Sequence, residues 1–171
     1  MNVKFVWYLI ILFASCTHVD IRTELKLGIE QYNSDSLREA INSFSRIIKT
    51  TDTCSVCLLY RGFSYKALDQ LDSAIHDYDS FIELYPENSV GYANRAAAFY
   101  LKGEYKRSLR DFQKALSFSP GSKDLFNPIS HMLFATGEKD SACVYYHKAI
   151  VAGDTTFDEK IKNYCADHDY R

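Results

Sequence analysis

The sequence predicts an all-α chain, a solenoid of antiparallel helix pairs closed by a C-terminal capping helix, and three observations predict it. The 171 residues are rich in Ala, Leu, Lys, Glu and Tyr with only three prolines and seven glycines, which favours helices over a turn-dense β architecture. A 34-residue period runs without a gap from Ile21 to Thr156, giving four copies at 21–54, 55–88, 89–122 and 123–156. Turn-forming residues at Asp35, Asp69, Gly103 and Gly137 split each copy into two segments of helix length.

The N-terminal element is of another kind. Lys4, an unbroken apolar run from Phe5 to Phe13, and small Ala14 and Ser15 have the layout of a secretory signal over residues 1–15. As a helix, Phe5 to Ser15 reaches roughly 16 Å, short of the roughly 30 Å of a hydrocarbon layer, so a permanent span is the weaker reading. Phe13-Ala14-Ser15-Cys16 resembles the lipobox of bacterial lipoproteins, with Phe13 where that motif usually has Leu. The resemblance implies cleavage before a lipidated Cys16, a short tether over 16–20, and the membrane as a partner through the lipid anchor. Thr17 after the cysteine, rather than Asp, implies export to the outer membrane of a bacterial cell envelope. An ordinary signal peptide cut nearby, with Cys16 incidental, is the competing reading.

Within the repeats, small residues recur at Gly28, Gly62, Ala96 and Ser130 and at Ala40, Ala74, Ser108 and Ala142. Paired helices about 8 to 10 Å apart need such residues where their axes cross. Aromatics at Phe44, Tyr78, Phe112 and Tyr146 and aliphatics at Ile48, Ile82, Leu116 and Ile150 extend each second helix into an i, i+4 core stripe. Tyr65, Phe99 and Leu133 form a bulky column in which Gln31 is the odd member. Pro86 and Pro120 end second helices, because a residue without an N–H cannot extend them. In the first copy Glu24 stands where an apolar residue fits and Asp52 where the proline would be; in the fourth, Asn127-Pro128 predicts a first helix that starts late or kinks. Residues 157–171 predict a short capping helix and tail, with Ile161 and Tyr164 covering the last repeat.

Tyr60-Arg61-Gly62-Phe63-Ser64-Tyr65, Ala74-Ile75 with Tyr78, and Tyr92-Ala93-Asn94-Arg95-Ala96 resemble the tetratricopeptide-repeat (TPR) family in residue type and spacing. The resemblance implies a TPR α-solenoid, a right-handed superhelix whose first helices line a concave groove, and a non-enzymatic scaffold that binds a peptide or helix of a protein partner there. Its usual binding face falls on Leu25, Ile29, Tyr32, Leu59, Phe63, Lys66, Ala93, Ala97, Tyr100, Asn127 and His131. This set is mostly apolar, centred on repeats two and three, and suits a ligand with an apolar stripe. Packing against neighbouring helices is the competing role for Leu25, Ile29 and Phe63. One TPR subgroup clamps the terminal carboxylate of heat-shock chaperones with Lys, Arg and Asn. Asn94 matches one member, but Leu59, Phe63, Asp124 and Pro128 replace the rest, so a bound carboxylate would lack its charge-assisted bonds.

Other chemistries find less support. Without the leader the chain has 19 Lys plus Arg against 22 Asp plus Glu, a net charge of −3 and no footprint for nucleic acid. Cys54 and Cys57 stand at the junction between repeats one and two, the latter near a helix N-terminus, where a structural role including a local disulfide competes with an incidental pair and with a thiol-active envelope factor. No second ligand pair is near enough in sequence to make them half of a metal site. Cys143 and Cys165 meet only if the cap packs on the fourth repeat. His76, His131 and His147 fall on different helices with no catalytic motif, and neither cofactor nor metal is expected. Self-association through the solenoid ends is a further possibility.

Overall fold

The structure is a computed structural model that describes residues 20–51, 53–154, 156 and 158–167. The leader, Cys16, tether residues 17–19 and Asp52 lie outside the described residues. The described residues form nine α-helices: α1 (Ile21–Asn33), α2 (Leu37–Thr50), α3 (Ser55–Ala67), α4 (Leu71–Leu84), α5 (Ser89–Leu101), α6 (Tyr105–Phe118), α7 (Phe126–Ala135), α8 (Lys139–Val151) and α9 (Glu159–Asp167). Helices α1 to α8 form four antiparallel pairs, each packed on the next, so the core runs along the stack as successive clusters.

The tight turns have one cause. Asp35 and Asp69 have φ of 62° and 58°, and Gly103 and Gly137 have 75° and 91°, a left-handed residue just past each first helix. That conformation lets the next N–H reach back to a helix carbonyl, as in Ser36 to Gln31 at 2.8 Å and Glu104 to Phe99 at 2.9 Å. A fifth turn of this type at Gly153 (φ 92°) ends α8, whereas α2, α4 and α6 end in residues of negative φ, Thr51, Tyr85 and Ser119.

The small-residue column does more than let helices cross. A Cβ on Gly28 would stand 2.8 Å from Phe44, and one on Gly62 would stand 2.6 Å from Tyr78, so each glycine makes room for the ring of its partner helix. Ala40, Ala74, Ser108 and Ala142 are fully buried beside them. The aliphatic stripe needs a correction. Ile48, Ile82 and Leu116 are half-buried and Ile150 is 43% exposed, while the residues one position earlier, Ile47, Phe81, Ala115 and Ala149, are the buried ones. The stripe's last member leans instead on the next repeat: Ile82 packs on α5 beside Gly91. Among the described residues α8 is followed by the single helix α9, and Ile150 stays exposed.

Repeat four starts late: a 3₁₀ turn at Lys123–Leu125 takes the place of a first helical turn, and α7 begins at Phe126 with Pro128 in its first turn. A proline is tolerated there because its missing N–H has no partner in the first turn. At the far end Ile161 and Cys165 of α9 are buried against Cys143 and Tyr146, Cys143 is bonded to Cys165, and Tyr164 meets Phe134 edge-on. Glu24, out of pattern in α1, pairs with Arg46 of α2.

Candidate binding groove

The face expected to bind divides into a filled half and an open half. In repeats one and two, Leu25, Ile29 and Tyr32 pack on the cluster of Phe44, Ile47 and Cys57. Leu59 and Phe63 pack on Ala74, Tyr78 and Ala98. Tyr32 stands edge-on to Tyr60 with ring centres 5.3 Å apart, and Phe63 lies 6.2 Å from Tyr32. Lys66 covers the Phe63 ring at 5.8 Å, and burial lowers its pKa below the usual lysine value. These half-buried side chains hold the stack together.

In repeats three and four the same positions open. Ala93 and Ala97 stand one period after Leu59 and Phe63, and the volume they lack becomes space. A hollow of about 310 Å³ is lined by Ala97, Tyr100, Phe112, Asn127, Pro128, His131, Met132 and Thr156. A second of about 440 Å³ adjoins it along Ala97, Phe112 and Pro128 and continues to Ala93, Asn94, Asp124 and Leu125. These two hollows lie between repeats three and four. They gather Ala93, Ala97, Tyr100, Asn127 and His131 from the expected set and leave Leu25, Ile29, Tyr32, Leu59, Phe63 and Lys66 outside both.

The polar groups of the hollows have defined tasks. Asn127 donates from Nδ2 to Asp154 at 3.0 Å and to the Thr156 carbonyl at 2.6 Å, tying α7 to the segment after α8, while its Oδ1 is buried without a donor. Asn94 donates to the Val90 carbonyl at 2.8 Å, a bond inside its own helix. Neither hollow is lined by Lys or Arg, and Asp124 is present in the second, so an anionic group would find no cation there.

Cys54 and Cys57 are joined by a disulfide at the N-terminus of α3, where Cys54 caps the helix and Cys57 is fully buried. His76, His131 and His147 lie on α4, α7 and α8. Among the described residues no group of three or more His, Cys, Asp or Glu could hold a metal ion, and no helix is long and apolar enough to cross a membrane.

One polar ladder escaped the sequence reading. Arg61 forks onto Asp77 and reaches Ser45 of the preceding repeat at 3.0 Å; Arg95 forks onto Asp111 and reaches Asp79 at 2.6 Å. Arg61 and Asp77 recur 34 residues on as Arg95 and Asp111, with Asp79 in the place of Ser45, so the signal was present in the sequence.

Comparison with known proteins fits this geometry. Residues 56–88 match the family model described as tetratricopeptide repeat. The chain is 24% identical over 158 residues to small glutamine-rich tetratricopeptide repeat-containing protein 2 of Saccharomyces cerevisiae, covering 81% of this chain and 46% of that protein. The chain thus spans less than half the length of that relative. The crystal structure of MamA superposes with a TM-score of 0.75 at 20% identity, over 94% of this chain and 88% of that one. The first TPR domain of Spaghetti (RPAP3), solved with an HSP90 peptide, gives 0.66 at 18% identity, over 71% of this chain and 98% of that one.

Proposed function

We propose that this tetratricopeptide-repeat protein is a non-enzymatic docking platform, lipid-anchored in a bacterial envelope, that receives an apolar-striped segment of a protein partner between repeats three and four. Proteins that share its repeats and fold are protein-interaction scaffolds, which supports the coarser part of this reading. The observation that carries the finer part is the trimming of Leu59 and Phe63 to Ala93 and Ala97, which leaves an apolar hollow on an otherwise filled face. Peptide recognition of this kind lays the apolar face of an amphipathic segment into a hydrophobic groove. The anchor rests on residues 1–16 alone: a cation, an apolar run and Ala14-Ser15 before Cys16. An acidic chaperone tail is not the proposed ligand, since neither hollow offers a cation.

A photo-crosslinking side chain at Ala93 of the full-length protein in its membranes tests the groove. A discrete adduct is expected, lost when Ala97→Trp and Tyr100→Glu fill and charge the hollow while helicity is unchanged. An adduct that survives both changes places binding elsewhere. The anchor has its own test, because Cys16→Ala should release the protein from membranes washed at about 500 mM salt, where surface charge attraction is screened, while the lipidated chain stays bound.

The second reading, a thiol-active envelope factor, is favoured by the Cys54–Cys57 disulfide at a helix N-terminus. Serine at both positions with function intact would discard it.

A further inference from the structure

The outer edge of repeats three and four differs in charge from the rest of the molecule. Helix α6 carries Lys106, Arg107, Arg110 and Lys114 against the single acid Asp111, in a chain whose formal charge is −2. Asp111 is already forked by Arg95, and Arg107 is held by Glu104. Among the described residues Lys106, Arg110, Lys114, Lys123 and Lys148 have no carboxylate within ion-pair distance. A hollow of about 460 Å³ runs between Phe99, Arg107, Arg110 and Lys114. One repeat on, a hollow of about 430 Å³ is lined by Lys123, Phe126, Val144, Lys148 and Val151. Lys114 and Lys148, like Arg110 and Val144, occupy equivalent repeat positions, so both hollows lie on one continuous edge.

The edge is apolar beneath its charges. Lys114 lies 4.6 Å over the Phe118 ring, Arg107 lies 3.9 Å over Phe99 and Lys148 lies 4.7 Å over Tyr145. Val144 is 47% exposed and Val151 88%, both protruding between the lysines from α8. We propose that this edge is a second membrane contact, a patch that lies on an anionic lipid surface. Its cations sit on long stems and spread over two repeats instead of converging on one bidentate site, which suits a diffuse sheet of phosphates better than the few carboxylates of a peptide. Protruding valines enter the headgroup boundary when the lysine heads turn up to the phosphates. The inference does not depend on Cys16, because the patch would act on an unlipidated chain.

The test is flotation of the full chain carrying Cys16→Ala with vesicles of phosphatidylcholine alone or with about one quarter phosphatidylglycerol. Retention on the anionic vesicles should exceed that on neutral ones by about tenfold or more at about 50 mM salt and collapse at about 500 mM. Arg110→Glu with Lys114→Glu should abolish the difference, and Val151→Asp should weaken retention several-fold, with unfolding temperatures unchanged. Lys123→Glu with Lys148→Glu, distant from the Arg–Asp ladder, is the second charge variant should the first be less stable. Equal retention on both vesicles, or wild-type retention by both charge variants, overturns the proposal. Release by polyglutamate below the phosphatidylglycerol concentration present would also overturn it, assigning the edge to an acidic protein.

Discussion

Arg61 grips Asp77 with two parallel N–H···O bonds of 2.8 and 2.6 Å, joining the two helices of repeat two at a point where the carboxylate is 97% hidden from water by its 3% side-chain exposure. Hydrogen bonding to Asp77 raises the guanidinium pKa above its usual value. A third nitrogen reaches Ser45, so the same side chain also joins repeat two to repeat one.

Asp77→Ala should therefore cost about 3 kcal/mol, since it strands a half-buried cation, whereas Arg61→Met with Asp77→Leu should cost much less. Urea unfolding of the three proteins checks this.

Tyr78 predicts an effect of opposite sign. Its ring is fully buried beneath Gly62, and its hydroxyl has no hydrogen-bond partner. Tyr78→Phe should stabilise by about 1 kcal/mol, because the buried hydroxyl loses solvation without compensation. Burial, then Tyr32 and Asp77, raise the phenol pKa above its ordinary value. Below about pH 10 both folded and unfolded phenols keep their proton; above it only the unfolded one ionises, so the fold loses further stability as pH rises. Alkaline unfolding of the Phe variant should be correspondingly less steep.

The left-handed turns offer a graded series. Asp69→Gly should stabilise by about 0.5 kcal/mol, since a side chain at positive φ is strained, and Gly103→Ala should cost about 1 kcal/mol. Thermal unfolding at constant pH distinguishes the two signs.

Reduction should act on the cap. The Cys143–Cys165 bond closes a separation of 22 residues, for which the chain-entropy estimate is about 3 kcal/mol, whereas Cys54–Cys57 spans three and constrains little. Cys165→Ser should lower the unfolding temperature nearly as much as a reductant does, and Cys54→Ser with Cys57→Ser far less.

Much of the fold was legible because solenoid packing writes itself into period. Asp35, Asp69, Gly103 and Gly137 sit where a left-handed residue is needed, and Pro128 foretold the late start of α7. The open part of the groove was harder to read. Ala93 and Ala97 make a hollow only because no neighbour fills the volume they give up, and a column search registers them merely as small residues. Gln31, the odd member of its column, accepts a 2.8 Å hydrogen bond from Ser43 of the same pair. Such compensation depends on two helices at once. The Arg–Asp ladder was periodic but polar, outside the apolar columns. The Cys143–Cys165 pairing depends on where α9 docks, which no repeat specifies.

Ala97 has one consequence for how such a molecule changes partners. Repeats two and three present the same frame, so Phe63 and Ala97 are two settings of one dial: a single large residue at 97 would return repeat three to the sealed condition of repeat two, and a trimmed residue at 63 would open a new vacancy between the first two repeats. Recognition can drift along the stack one side chain at a time, while the turns, glycines and ion pairs that hold the frame stay as they are.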